Sequence, residues 1–233
     1  EMFDLTIRAF NLAEKFRTPV VLLADEIIAH MRERIAVPSS EKVEIVDRKK
    51  PKRTDKAFFG PEDIPPMPSV GQGFNVAVTG STHNEYGIRY TADPTVHRRL
   101  VERLVGKIRK NAGKIVDVEH YNTDGCEAGI VSYGCTSRAI YETLELAKKK
   151  GINIGFIRLK TLWPFPDDAV QTMAQNAKIL FVPEMNLGQI FYEVERAVHG
   201  TVPVVPVNKI GGGELITPEE LLSQVVRGVK NID

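Results

Sequence analysis

Between residues 129 and 229 the sequence alternates four times between a short apolar run and a longer amphipathic one. The runs 129–133, 152–159, 179–182 and 202–207 are rich in Ile and Val, and helical spacing follows each of them, over 137–150, 166–176, 189–199 and 217–229. Few folds accommodate this rhythm. Strands joined through helices must lie parallel, and their apolar faces are then covered by those helices, which predicts an α/β domain with a mostly parallel sheet and helices on both faces. Local signals support the boundaries. Thr217-Pro-Glu-Glu220 spells a capping box with proline at the first helical position, while Lys148 to Lys150 before Gly151, and His199 before Gly200, are C-terminal signals.

The N-terminal part has a different texture. Over residues 1–17, Phe3, Ile7 and Phe10 lie in one row and Leu5, Ala9, Leu12 and Phe16 in the next, a broad apolar stripe at helical spacing that Thr18-Pro19 ends. The run 20–24 (Val-Val-Leu-Leu-Ala) reads as a strand buried on both faces of a parallel sheet. One helix and one strand cannot cover each other, so the chain reads as beginning inside a longer protein or as covered by another subunit. From Pro38 to about Gly73 six prolines preclude regular elements and indicate a linker. Its basic run Arg48-Lys-Lys-Pro-Lys-Arg53, with Lys56, reads as a solvated loop or as a docking point for an acidic protein. A strand is expected over 74–79. Asp93-Pro94 then starts an amphipathic helix with Val96, Leu100, Leu104 and Ile108 on one face, ending near 111–113. The organisation read from these features is 1–37, a linker 38–75, a connecting region 76–125 and an α/β domain 126–233.

Composition excludes several classes. Apolar residues make up 42% of the 233, and 31 basic against 30 acidic residues leave a net charge of +1, a balance unlike that of a nucleic-acid-binding or membrane-surface protein. No apolar run approaches a membrane span and no signal-peptide layout is present, so a cytoplasmic protein is expected. Cys126 and Cys135 are separated by nine residues, roughly 30 Å if extended, which is too far for a disulfide unless the chain turns back. Without four thiolates the chain cannot by itself ligate an iron–sulfur cluster.

Candidate functional residues fall in the turns. Gly80-Ser-Thr-His-Asn-Glu-Tyr-Gly87 places an imidazole, an amide and a carboxylate after an expected strand. His83 and Glu85 are candidate acid–base groups there, beside Asn84, or the loop is purely structural with His83 hydrogen-bonded locally; two ligand types at His-x-Glu spacing are weak grounds for a metal. In Tyr133-Gly-Cys-Thr-Ser-Arg138, a helix start with two hydroxyls and Arg138 can hold an anion, or the same residues can simply cap a helix. Glu184 and Asn186, in Pro183-Glu-Met-Asn-Leu-Gly-Gln189, stand at a strand end, where they either meet a ligand or cap the next helix. Trp163 and Phe165, held between Pro164 and Pro166, read as interface aromatics rather than cofactor contacts.

The order of 80–87, 159–166 (Leu-Lys-Thr-Leu-Trp-Pro-Phe-Pro) and 182–189 resembles the α subunit of the 2-oxoacid:ferredoxin oxidoreductases, most closely the 2-oxoglutarate type. The resemblance implies a transketolase C-terminal-like domain over 126–233, preceded over 1–37 by the last part of a thiamine-enzyme pyrimidine-binding domain. It also implies oxidative decarboxylation of a 2-oxoacid on thiamine diphosphate, formation of an acyl-coenzyme A and electron transfer to ferredoxin. Thiamine diphosphate, Mg²⁺ and the iron–sulfur clusters would be held by or shared with the β and smaller subunits, so the chain alone is not expected to turn over. Within it, His83 and Glu85 are the expected catalytic loop, with Asn84, Arg138, Glu184 and Asn186 near cofactor or substrate. Two other readings stay open: a structural, dimerising subunit of such a complex, and the β subunit of a 2-oxoacid dehydrogenase.

Overall fold

A computed structural model describes residues 1–232 as two compact units, one built from Glu1–Leu23 and Glu33–Ile115, the other from Ala24–Arg32 and the chain from Val116 onward.

The second unit holds all the paired strands among the described residues. Its elements are α2 (Glu26–His30), β1 (Val118–Tyr121), β2 (Ala128–Tyr133), α5 (Thr136–Lys149), β3 (Ile154–Leu159), α6 (Asp167–Asn176), β4 (Ile179–Glu184), α7 (Ile190–Val198), β5 (Val204–Asn208) and α8 (Pro218–Lys230). The five strands order β1-β3-β2-β4-β5, parallel except for the antiparallel edge pair β1–β3. The mostly parallel α/β sheet expected from the alternation is therefore present. Strand periodicity explains its two cores. Val131, Ile157, Leu180 and Val182 point to one face and pack against Val170 and Met173 of α6 and Val194 of α7. Their sequence neighbours Ile130, Phe156 and Phe181 point to the other and meet Ile140 of α5 and Leu221 and Val225 of α8. The capping box also forms, with Glu220 N donating to Thr217 Oγ1 at 3.2 Å and Thr217 N to Glu220 Oε2 at 2.9 Å.

At the outer edge, Leu180 N donates to Pro203 O and Lys209 N to Glu184 O. The odd-numbered residues of β5 thus face β4, and Pro206 faces outward. The opposite edge strand, β1, carries no apolar run and was not expected; it is held by Glu119, which binds Arg158 at 3.1 Å and Lys160 on and after β3. Both cysteines are free and buried, and burial raises both thiols above their ordinary range.

The first unit contains α1 (Met2–Phe16), a 3-10 turn at Ser40–Lys42, α3 (Pro94–Arg109) and the single turn α4 (Ala112–Ile115). Phe16, Ile108 and Ile115 form its small core, with Leu12 and Ile64 against them. The Asp93 cap is as expected, Oδ1 accepting from Thr95 N at 2.8 Å. The proline-rich segment has no ladder but lies along α1. Asn11 brackets it through Glu44 O and Val46 N, Arg48 makes two bonds of 2.5 Å to Glu14, and Lys49 and Lys50 pair with Glu62 and Asp47. Three of the segment's basic side chains therefore already have acidic partners.

Two expected strands do not form. Residues 20–24 and 74–79 pair with no strand among the described residues. A β-ladder needs a second chain edge to complete its hydrogen bonds, and none of the described strands runs beside them. Val21 is 77% and Leu23 70% exposed in this chain alone, so the described residues do not themselves supply the two-faced burial expected of this run.

The centre of the sheet leaves no spare volume. A Cβ on Gly129 in β2 would lie 2.5 Å from Leu180 Cδ2 and 2.9 Å from Met173 Sδ. Gly129→Ala should lower stability by about 1–3 kcal/mol through overpacking, measured as a fall in the denaturation midpoint at unchanged m-value.

Candidate functional site

The chain enters the centre of the sheet at β2, moves to one side for β3 and returns to the other for β4. In open α/β sheets ligands collect where the order reverses, beyond the carboxyl ends of the strands. Here those ends are Tyr133 and Glu184. The crevice is occupied largely by the protein's own side chains. Glu184, 1% exposed, accepts from the backbone N–H groups of Gln189, Ile190 and Phe191 at 3.0, 3.0 and 2.9 Å, from Tyr133 Oη at 2.9 Å and from Asn186 Nδ2 at 3.2 Å. Asn186 also accepts from Gly188 N at 2.7 Å. Burial raises the Glu184 pKa, but the bonds from the α7 N-terminus and Tyr133 outweigh it and leave the carboxyl below its ordinary value. Burial and the adjacent carboxylate push the Tyr133 hydroxyl well up.

The neighbouring turn is treated in the same way. Asp25 Oδ2 accepts from Cys135 N at 2.8 Å at the start of α5, and Gly134, at φ 59°, has room only for hydrogen on that side, since a Cβ would stand 2.7 Å from Asp25 Oδ2. The anion acceptor at this helix start is therefore a carboxylate of the chain itself, Asp25, acting as a cap. Beside it lies a mainly apolar cavity of about 290 Å³ lined by Ile27, Met31, Cys135, Arg138, Met185 and Ile216, among others. Arg138 is exposed, with Nη1 at 3.6 Å from Met31 Sδ. Trp163 is 72% exposed.

The residues 80–87 belong to the other unit and form a tight turn centred on Asn84. Its Oδ1 accepts from Tyr86 N and Ile88 N at 3.1 Å, its N–H donates to Ile88 O, and His83 bridges Arg89. Gly87, at φ 79°, approaches Ala77 O so closely that a Cβ would sit 2.2 Å from it. His83 and Glu85 diverge. Glu85 is exposed, whereas the His83 ring packs edge-on against Phe59 at 5.0 Å and lines a cavity of about 230 Å³. His83 Nδ1 lies 2.9 Å from Ser81 O. A carbonyl only accepts, so Nδ1 carries the proton and the lone pair of the neutral ring is on Nε2, which is buried without a partner.

Three cations not singled out in the sequence share this cavity: Arg17, Arg103 and Lys107. Arg17 is the C-cap of α1 at φ 48°, a left-handed position that ordinarily favours glycine. Its Nη1 donates to Phe58 O at 2.7 Å and Pro65 O at 2.8 Å, and its guanidinium stands 5.8 Å over Phe59. Lys107, only 4% exposed, donates to Arg17 O at 2.7 Å. Burial first, then Arg103 and Arg17, lower its amine to about 8. A sequence signal existed: Arg103 and Lys107 sit three residues after Leu100 and Leu104, inside the apolar stripe rather than opposite it.

Comparison with known proteins places this geometry in a family. Residues 1–103 match the model described as pyruvate flavodoxin/ferredoxin oxidoreductase, thiamine diphosphate-binding, and residues 126–221 match pyruvate:ferredoxin oxidoreductase core domain II. Over 97% of its length the chain is 44% identical to the 2-oxoglutarate synthase subunit KorA of Methanothermobacter marburgensis, covering 60% of that protein. It is 47% identical over 95% of its length to the KorA of Methanocaldococcus jannaschii, covering 59%. Among solved structures, 2-oxoglutarate:ferredoxin oxidoreductase from Magnetococcus marinus superimposes over 97% of this chain and 40% of that one, at TM-score 0.85 and 23% identity, a likeness of fold. The chain belongs to the 2-oxoacid:ferredoxin oxidoreductases, as part of an α subunit, and spans about 60% of the curated relatives it matches.

Among the described residues no group of three or more His, Cys, Asp or Glu side chains is placed to hold a metal ion. No helix among the described residues is long and apolar enough to cross a membrane.

The Glu184 cap has a pH signature. Its native pKa is lowered, so the carboxylate stabilises the fold fully above the ordinary glutamate range, and that contribution is lost as pH falls through the lowered native value. Glu184→Gln should cost about 3 kcal/mol near pH 7, because buried N–H groups lose a charged acceptor. Thermal melts should show the gap from wild type narrowing in acid.

Proposed function

We propose that the chain is the greater part of the α subunit of an enzyme that converts a 2-oxoacid, coenzyme A and two oxidised ferredoxins into the acyl-coenzyme A, CO₂, two reduced ferredoxins and a proton. The observation that carries this reading is identity of 44–47% over nearly the whole chain to 2-oxoglutarate synthase subunits. 2-Oxoglutarate is accordingly the proposed substrate. Thiamine diphosphate supplies the stabilised carbanion needed for decarboxylation of a 2-oxoacid. It, Mg²⁺ and the iron–sulfur clusters are assigned to surfaces completed by the β and smaller subunits, which together with ferredoxin are the proposed partners. The site of action is the cytoplasm.

Within this chain, His83 is the proposed substrate-side residue, since it lines a basic cavity able to attract an anionic reactant. Glu85 is exposed and not joined to it, so a paired acid–base role is not carried forward. Asn84 is proposed to shape the turn that presents His83. Glu184 and Asn186 are proposed to position the β2 and β4 ends rather than to meet substrate, because their bonds are spent on the turn and on α7. Arg138 remains a proposed contact at the mouth of the apolar cavity. A positioning role for the second unit is favoured by the same observation, with Asp25 and Glu184 both used as internal caps.

The test is dye reduction by the full-length subunit co-purified with the products of its neighbouring genes. Viologen should be reduced only with 2-oxoglutarate and coenzyme A together, and a cofactor-loaded complex inert with every 2-oxoacid would refute the reading. In that complex His83→Gln should lower kcat about 10- to 100-fold with assembly intact; unchanged kcat would remove His83 from the reaction.

A further inference from the structure

The cavity beneath His83 holds more positive charge than its protein contacts neutralise. Arg17, Arg103 and Lys107 line it. The one carboxylate among the lining residues, Asp63, also binds Lys110 at 2.8 Å, so four cations share one anion. Burying cations without counter-charge is unfavourable, and crowding like charges adds to that cost. Burial lowers the pKa of both arginines and Lys107, and Arg103 acts further on Arg17 and Lys107.

Donor capacity is in surplus as well. Among the described residues, bonds to protein use only Nη1 of each guanidinium, Arg103 reaching Asp63 O at a long 3.5 Å, and one N–H of the Lys107 ammonium. His83, which lines the same cavity, carries one more buried polar atom, Nε2, with no hydrogen-bond partner among the described residues. Arg17 also stands in a left-handed backbone conformation that glycine adopts more easily, which is retained where the side chain is needed.

We propose that this pocket binds an oxyanion, a carboxylate or phosphate group, held by Arg103 and Lys107 beside His83. Arg17 is committed to the Phe58 and Pro65 carbonyls and contributes field rather than bonds. At about 230 Å³ the cavity falls below the roughly 300–1,000 Å³ of pockets that enclose a whole small molecule, so it receives one anionic end of a larger ligand.

The proposal depends on the functional reading above only for the choice of probes. Titration calorimetry on the assembled complex containing the full-length chain would use inorganic phosphate, 2-oxoglutarate, coenzyme A and dephospho-coenzyme A. Arg103→Gln should weaken binding of 2-oxoglutarate or of coenzyme A by about tenfold or more, the loss of one charge-assisted bond, and phosphate should compete with whichever probe is affected. Weakening of 2-oxoglutarate alone identifies a carboxylate. Weakening of coenzyme A but not dephospho-coenzyme A identifies the ribose phosphate, and equal weakening of both identifies the diphosphate. Unchanged dissociation constants for all four would overturn the proposal. If Arg103→Gln fails to assemble, wild-type crystals soaked in selenate decide: anomalous density between Arg103 and Lys107 that inorganic phosphate displaces supports the site, and its absence refutes it. A complex inert in dye reduction that still binds phosphate through Arg103 would retain this inference and sink only the proposed activity.

Discussion

The Glu184 carboxylate organises the second unit. It ends β4, caps α7 through three N–H groups and takes the Tyr133 hydroxyl from the end of β2. Three elements therefore converge on one side chain at the point where the strand order reverses. Charge-assisted bonds in a buried setting are strong and directional, while a partner left unmatched there is costly. The turn at 185–189 is consequently fixed by electrostatics rather than by packing. Asp25 repeats the device on α5, so the two positive helix ends facing the crevice are already neutralised from within. A bare helix terminus would attract a ligand anion; a capped one offers shape and apolar surface, which is what the cavity lined by Ile27, Met31, Met185 and Ile216 presents.

The two units treat charge in opposite ways. Around Glu184 both carboxylate oxygens are matched, and the sheet below it is covered on both faces by buried apolar side chains. Around His83 the small core of Phe16, Ile108 and Ile115 adjoins cations placed on the inward face of α3. Stability is concentrated in the first arrangement, and an unsatisfied electrostatic demand in the second. Preorganised but unmatched groups are what a site for a charged ligand requires.

Much of the architecture is legible in the sequence because it is local. The four alternations beyond residue 129 set four strands and four helices, and Thr217 to Glu220 announces its own cap. β1 was missed because an edge strand with one covered face needs little apolar sequence; its hold on β3 comes through Glu119. The runs 20–24 and 74–79 misled for the converse reason: β-branched composition describes a strand's preference, while pairing depends on a neighbour. At the site, His83, Glu184 and Asn186 were visible as residue types next to glycine turns. Which role each takes was not, because Glu184's donors lie up to seven residues along the chain and 51 residues away at Tyr133. Arg17, Arg103 and Lys107 were hidden by distance too, since Lys107 meets Arg17 across 90 residues. Basic residues within an apolar stripe were the trace they left.

The outward-facing Pro206 on β5 has a bearing on how this domain can associate. A strand from another molecule laid along that edge would find no N–H at the position where its carbonyl should be received, so continuation of the sheet across a subunit boundary is disfavoured there. Large apolar side chains are instead exposed in the loops beyond the strand ends, Trp163 after β3 and Leu187 after β4. One imino acid at a rim thus works as a steric instruction about assembly, written into a strand whose inner face serves only the core.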